Sequence, residues 1–335
     1  MLAALAVAAA LAAGTNAYSA QSLVTNTTDA SLVNGWGLSA GPTTPWWVSD
    51  NGTNLSTLYQ GSGTKAALTV TVPGGPTGTV FNGDATAFVV SQGGKSGGAR
   101  FLFSTEGGQI LGWTPSVAAT AAIPGADLSS QGAIFKGLAI LGGRLYATDF
   151  HNGKVDVFDS KYAPVQTGGG FVDKQVPKGY APFGIQALGG NIFVTYAPQD
   201  AQAKDELDLP GRGFVAEFTP DGVLVANVAK KGGKNAPPNA PWGLAMAPAS
   251  FGSFGGDLLV GNFGNGRISA YTQQNGKWVY KGQLRKGDGS IIVVPGLWAI
   301  AFGNGAAAGP ATSLYYAAGP NDEKAGDFGV ITAIG

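Results

Sequence analysis

The sequence predicts an all-β fold: a six-bladed β-propeller of four-stranded blades, closed by pairing of the N- and C-terminal strands. Three observations carry the prediction. One pattern recurs along the chain: a short apolar run, a Gly-rich turn, a second apolar run ending in a polar residue, a turn often carrying Asn-Gly, and a third strand-like run. It is plainest in residues 136–158, KGLAILGGRLYATDFHNGKVDVF, and returns in 35–59 and 241–271. Successive copies lie roughly 50 residues apart, the length of a four-stranded blade. Finally, 55 of the 335 residues are glycine, as a chain of short strands and tight turns requires.

The first strands are read at Trp36-Gly37-Leu38, 85–90, 137–140, Phe183-Gly184-Ile185, 242–245 and 297–300. Second strands follow at 46–49, 100–104, 145–148, 191–195, 257–261 and 313–317. Their β-branched and aromatic residues, bounded by Gly and Asn, argue for strands. Third strands include 110–113, 154–158, 213–218 and 267–271, and fourth strands 68–72 and 223–228. Asn51-Gly52, Asn152-Gly153 and Asn265-Gly266 sit between second and third strands, where Asn-Gly supplies the positive φ of a tight turn. Residues 21–25 and 329–334 both read as extended, and their pairing would remove the open edges of the ring.

Composition narrows the function classes. Only 12% of residues are charged, and Lys+Arg equals Asp+Glu at 20 each. No basic surface is available for a phosphate backbone, so nucleic acid is not an expected partner. The chain has no cysteine and one histidine, His151, which excludes a multi-His zinc site. Residues 1–20 read as a signal peptide: an apolar run over 2–13, then the small-residue site Thr15-Asn16-Ala17, with a second possible cut after Ala20. A basic segment before the apolar run is missing. Residues 21–335 form the single propeller domain. No other stretch is long and apolar enough to span a bilayer, so the expectation is an exported monomer: secreted, periplasmic or at the cell surface.

Antiparallel strands place the loop entering each first strand on the same face as the loop between second and third strands. Two residue sets gather there. The aromatic set is Trp36, Phe183, Trp242 and Trp298. The polar set is Asp50, Glu106, Asp149 with His151, Tyr196, Asn262, and Asn321-Asp322-Glu323. Trp36, Asp50, Phe183, Tyr196, Trp242 and Trp298 are candidate ligand-binding residues. Glu106, Asp149, Asn262 and Asp322 are candidate ligands for one divalent cation, Ca²⁺ or Mg²⁺, since carboxylate and amide oxygens suit a hard ion. Asp149 and His151 lie two apart, on one side of an extended segment, and are a candidate catalytic base and orienter. Each has a structural alternative. Asp after a strand caps its own turn, and tryptophans near the axis can wedge blades apart instead of stacking on a sugar ring. The acidic stretch 199–212, QDAQAKDELDLPGR, is open to reading as a lid, a partner-binding arm or a solvated excursion.

The segments WWVSDNGTNLSTLY, ATDFHNGKVDVFD, APFGIQALGGNIFVTYAPQD, APWGLAMAP, LLVGNFGNGRISAY and AGPNDE resemble a family of secreted bacterial propeller proteins of uncharacterised function. The strand-and-turn pattern is also similar to NHL-type repeats. More distantly, it is similar to the calcium-dependent six-bladed lactonases of the gluconolactonase type. The family resemblance implies a secreted propeller, and the lactonase likeness implies, at the level of the fold, a central metal. Three functions stay open. The first, favoured because no nucleophile motif appears, is binding of an extracellular small molecule, saccharide, surface polymer or protein. The others are a metal-dependent hydrolase of lactones or esters, and a structural component of the cell surface or matrix.

Overall fold

A computed structural model describes residues 15–230 and 237–334. The expected leader's apolar run, 2–13, lies outside the described residues. The fold is a propeller of six antiparallel blades. Blade 1 is built from Gly35–Ser39, Trp46–Asp50, Leu55–Tyr59 and Lys65–Thr71. Blade 2 is Pro76–Phe81, Phe101–Thr105, Gln109–Trp113 and Ile123–Asp127. Blade 3 has the strands Phe135–Leu141, Arg144–Asp149 and Lys154–Phe158, and a bridge from Phe158 to Pro164 stands where a fourth would begin. Blade 4 is Tyr180–Leu188, Asn191–Pro198, Phe214–Phe218 and Leu224–Ala229. Blade 5 is Pro241–Met246, Leu258–Asn262, Arg267–Gln274 and Lys277–Gln283.

Blade 6 joins Leu297–Phe302, Leu314–Ala318 and Asp327–Ala333 to the N-terminal strand Tyr18–Thr25. Closure therefore takes the form the sequence predicts, but its strand starts at Tyr18, before the expected domain start at residue 21. Tyr18 is 1% exposed and rests on Phe251 and Phe254.

The sequence reading of blade 2 needs correction. Its first strand is Pro76–Phe81, and residues 89–92 belong to a hairpin with Lys95–Gly98, inserted before the second strand. Thr77 stands where four of the other blades carry Trp or Phe, so the apolar signal there is weak.

The first strands line the axis and pack directly on one another. Each has a small residue at the closest approach: Gly37, Gly78, Gly137, Gly184, Gly243 and, in blade 6, Ala299. A Cβ on Gly184 would lie 2.1 Å from Trp242 O, and one on Gly78 would lie 2.4 Å from Leu138 N. Only backbone fits there. At these bulged positions the ladder lapses, and in blades 2, 3 and 4 a hydroxyl from the second strand takes the freed N–H. Gly137 N donates to Thr148 Oγ1 (2.7 Å) and Gly184 N to Thr195 Oγ1 (2.8 Å). Thr148 Oγ1 donates onward to Phe183 O of the next blade (2.7 Å), stitching the two together. The collar leaves about 30 Å³ of space, so the channel is closed below its mouth.

Apolar clusters fill the wedges between blades. Trp47, Phe101, Phe103 and Trp113 join blades 1 and 2, and Tyr146, Phe171, Ile192 and Phe218 join blades 3 and 4. Among the described residues no helix is long and apolar enough to cross a membrane.

Candidate functional site

The residue that closes the second strand is polar in blades 1, 2, 3 and 5: Asp50, Thr105, Asp149 and Asn262. All four are buried, and their side chains serve local backbone. Asp149 Oδ1 accepts from Ile134 N and Asn152 N (both 3.2 Å), and its Oδ2 accepts from Asn152 Nδ2 (2.7 Å). Asn262 Oδ1 accepts from Asn239 N (3.0 Å), while its Nδ2 donates to Arg267 O (2.9 Å). Asp50 Oδ2 accepts from Thr57 N (2.9 Å), and burial pushes its carboxyl well above the usual range. Asp149 and Asn262 are satisfied turn caps, as buried polar groups require, whereas Asp50 Oδ1 has no partner.

One residue later the side-chain direction reverses. Asn51, Glu106, Phe150 and Phe263 occupy that next position. Asn51 Nδ2 donates to Glu106 Oε2 (3.0 Å), Phe150 packs on Phe183, and Phe263 stacks on Trp298 with 3.9 Å between rings. Of the expected polar ring, Glu106 thus reaches the centre, while Asp50, Asp149 and Asn262 turn away from it.

The aromatic set forms a buried plug. Trp36, Phe183, Trp242 and Phe263 all pack on Trp298, and the first three are at most 9% exposed. Trp298 Nε1 donates to Asn34 Oδ1 (2.8 Å) and Trp242 Nε1 to Lys136 O (3.2 Å). Tyr196 is buried in the wedge between blades 3 and 4, its hydroxyl on Phe171 O. His151 is exposed, with Nδ1 3.3 Å from Ala203 O, and is not bonded to Asp149.

Above this plug sits Lys136. It fills the slot held by Trp36, Thr77, Phe183, Trp242 and Trp298 in the other blades, yet it is only 1% exposed. Its Nζ lies 2.7 Å from Glu106 Oε1, 3.1 Å from Asp205 Oδ1 and 4.9 Å above the Trp36 ring. Burial alone would depress the ammonium's pKa, but Glu106, Glu206 and Asp205 outweigh it and raise it. Burial likewise pushes Glu106 up, and Lys136 and Asn51 overcome it to hold the carboxylate below its usual value.

Asp205 and Glu206 come from the 199–212 stretch, which folds back as a short hairpin. Gln199 bridges to Glu206, Leu207 N donates to Pro198 O, and Gln199 Nε2 donates to Phe150 O (2.6 Å). Burial pushes the Glu206 carboxyl up to about 8, with Lys136 opposing. Opposite it stands Glu323, whose Oε2 accepts from Asn34 Nδ2 (2.6 Å) and whose pKa burial also raises. Asn321, Asp322 and Glu323 are all left-handed, with φ of 59°, 50° and 63°. Such a run costs roughly 1–2 kcal/mol per residue. Between these two loops lies a pocket of about 610 Å³, lined by Asp205, Glu206, Asp208, Asp322, Glu323 and Phe263 among others.

The pocket does not fit the metal that the lactonase likeness implies. Both Glu106 oxygens are bonded within the protein, Asp149 and Asn262 are spent on turns, and Asp322 is on the exposed rim. Among the described residues no three His, Cys, Asp or Glu side chains converge as a metal site. Lys136, Asn34, Asn51 and Glu206 were absent from the expected site. Lys136 carried a signal, since it is the one charge in the slot before the collar residue.

The chain belongs to the family of two uncharacterised proteins of Acanthamoeba polyphaga mimivirus. It is 30% identical to protein R648 over 287 residues, 82% of this chain and 69% of that protein. It is also 30% identical to protein L690 over 286 residues, 82% and 74%. A third, R640, is 30% identical over 226 residues, and the chain spans 41% of its length. A scan against protein-family models finds no match. Among solved structures the chain is similar to virginiamycin B lyase from Staphylococcus aureus (13% identity, 95% of this chain and 100% of that one, TM-score 0.54). It is also similar to the soluble aldose sugar dehydrogenase of Escherichia coli (14%, 95% and 100%, TM-score 0.55). A putative gluconolactonase aligns over 76% of the chain with TM-score 0.43. The likenesses to the lyase and the dehydrogenase show the propeller fold.

Proposed function

We propose that the protein is a binding protein whose channel mouth takes an organic cation, an amine-bearing saccharide or polyamine. One observation supports this most: a pocket of about 610 Å³ lined by five carboxyl groups, one of which, Asp205, pairs with the buried Lys136. The carboxylates are spread around the pocket instead of converging, which suits an extended cation more than a bare ion. Phe263 adds an apolar wall. The leader-like N terminus supports a role outside the cytoplasm.

The test is calorimetric titration with glucosamine and spermidine, using glucose as the neutral twin. The reading expects saturable binding of at least one amine, none of glucose, and at least about tenfold weakening in Asp208→Asn and Glu323→Gln. Absence of amine binding, or equal binding by the variants, refutes it.

A second reading, acid–base catalysis, is favoured by the Glu206 carboxyl, raised to about 8 in a cleft beside Lys136. Turnover of a bound amine that Glu206→Gln abolishes would move the assignment there.

A further inference from the structure

On the opposite face, between blades 1 and 2, lies a second pocket of about 530 Å³. It is built from the starts of two second strands and the ends of the strands beside them. Trp47 stacks on Phe101 at 4.0 Å and meets Trp113 at 4.7 Å, while Phe81 lies 5.3 Å from Phe101. Pro42, Pro45 and Pro115 complete the walls. The loop that carries Pro42 and Pro45 is held in place: Asn304 Nδ2 donates to Gly41 O (2.8 Å) and Thr44 O (2.9 Å), and Gly41 N donates to Thr44 Oγ1 (2.9 Å). The site is therefore formed in advance, which lowers the cost of binding.

Two polar groups in this aromatic setting are unspent. Arg100 lines the pocket with its guanidinium 5.1 Å above the Phe81 ring. It forms no salt bridge among the described residues, and its one side-chain hydrogen bond is a long contact to Gly83 O (3.5 Å). The nearby Asp84 is occupied by Thr86. The second group is Trp47 Nε1, on a side chain 2% exposed and without an acceptor. A buried donor left unpaired is costly.

We propose that this pocket is a second binding site, which takes a planar aromatic carboxylate. The ring lies against Phe81, Pro42, Pro45 and Pro115, over the buried stack of Trp47, Phe101 and Trp113, and the carboxylate pairs with Arg100. Aromatic walls select a flat apolar body, and the guanidinium selects an anion that it can hold by two hydrogen bonds. The site has the opposite charge preference to the mouth and stands independently of it.

The experiment uses the full propeller, with 2-naphthoate as probe and 2-naphthamide as its uncharged twin, followed by calorimetry and by the indole N–H signals in NMR. The expected result is saturable 2-naphthoate binding that shifts the Trp47 and Trp113 indole signals. The amide, and naphthoate on Arg100→Gln, should bind at least about tenfold more weakly. Gly83 offers a blocking variant. A Cβ there meets only the Phe81 ring at 4.0 Å, so Gly83→Leu adds bulk in open space. It should abolish binding, whereas Glu206→Gln should leave it unchanged. No saturation, equal binding of the amide, or full affinity in either Arg100→Gln or Gly83→Leu overturns the proposal.

Discussion

Lys136 and Glu106 belong to neighbouring blades and meet 2.7 Å apart at the axis of the ring. The ammonium is buried against Trp36, and the carboxylate is about one-quarter exposed. The contact joins blades 2 and 3 and sets the floor of the mouth. A charge taken out of water in this way is tolerated only because its partners stay with it.

Removing one partner should therefore cost more than removing both. Glu106→Gln strands the ammonium with Asp205 alone and should destabilise by about 3 kcal/mol, the lower end of the range for a broken buried pair. Glu106→Gln with Lys136→Met should recover part of that loss. Urea denaturation of the parent protein and the two variants gives the comparison.

Glu206 makes stability depend on pH in a set direction. Its folded pKa of about 8 lies above the ordinary 4.5. The native state thus holds a proton that the unfolded chain releases between those values. The contribution is full below about pH 4.5 and is lost as pH rises through about 8. Denaturation between pH 5 and 9 should show the decline, and Glu206→Gln should flatten it. Lys136→Met should raise the Glu206 pKa further, read by carboxyl NMR.

Asn34 links the plug to the rim, accepting from Trp298 Nε1 and donating to Glu323. It also has a φ of 50°. Asn34→Gly should cost about 1–3 kcal/mol for the orphaned indole donor, and Asn34→Ala about 1 kcal/mol more for the left-handed backbone. Equal stability of the two would show that the backbone is not held as described.

The collar should tolerate nothing larger than backbone where it is tightest. Gly184→Ala drives a methyl against Trp242 O and should destabilise by about 3 kcal/mol or more. Gly168→Ala, which meets nothing within 4 Å, should be neutral or slightly stabilising. Thermal melts of the pair separate overpacking from a general effect of removing glycine.

The N-terminal strand gives a fifth comparison. A chain starting at Tyr18 keeps that ring in its slot, whereas one starting at Gln21 loses it, at about 3–5 kcal/mol. Of the two expected leader cuts, the one after Ala17 leaves the strand whole. Denaturation of the two chains measures the difference.

The fold was legible because each repeat prints its turn glycines and apolar runs in order. Blade 2 was misaligned because Thr77-Gly78 does the work of Trp-Gly without the aromatic residue. Only at the ends of the second strands was the site legible to within one residue. Strand-end carboxylates were read as pointing inward, but phase at a strand end depends on bulges that composition does not record. Hence Asp50, Asp149 and Asn262 were chosen where Asn51 and the position after each cap matter. Glu106 was found because in blade 2 the cap is Thr105 and the acid falls one place later. Glu323 stood in the expected polar set, but Asn34 was beyond reach, since their contact joins residues at opposite ends of the chain through a left-handed turn.

The strand of residues 18–25 completes its blade only with 327–333. During synthesis the first strand to leave the ribosome must wait for the last. Until then, the nascent chain presents an open edge at each end of an incomplete ring, and such edges template pairing between molecules. Slow elongation or a premature stop near the C terminus should therefore yield aggregates or exchanged-strand dimers, not a smaller soluble propeller.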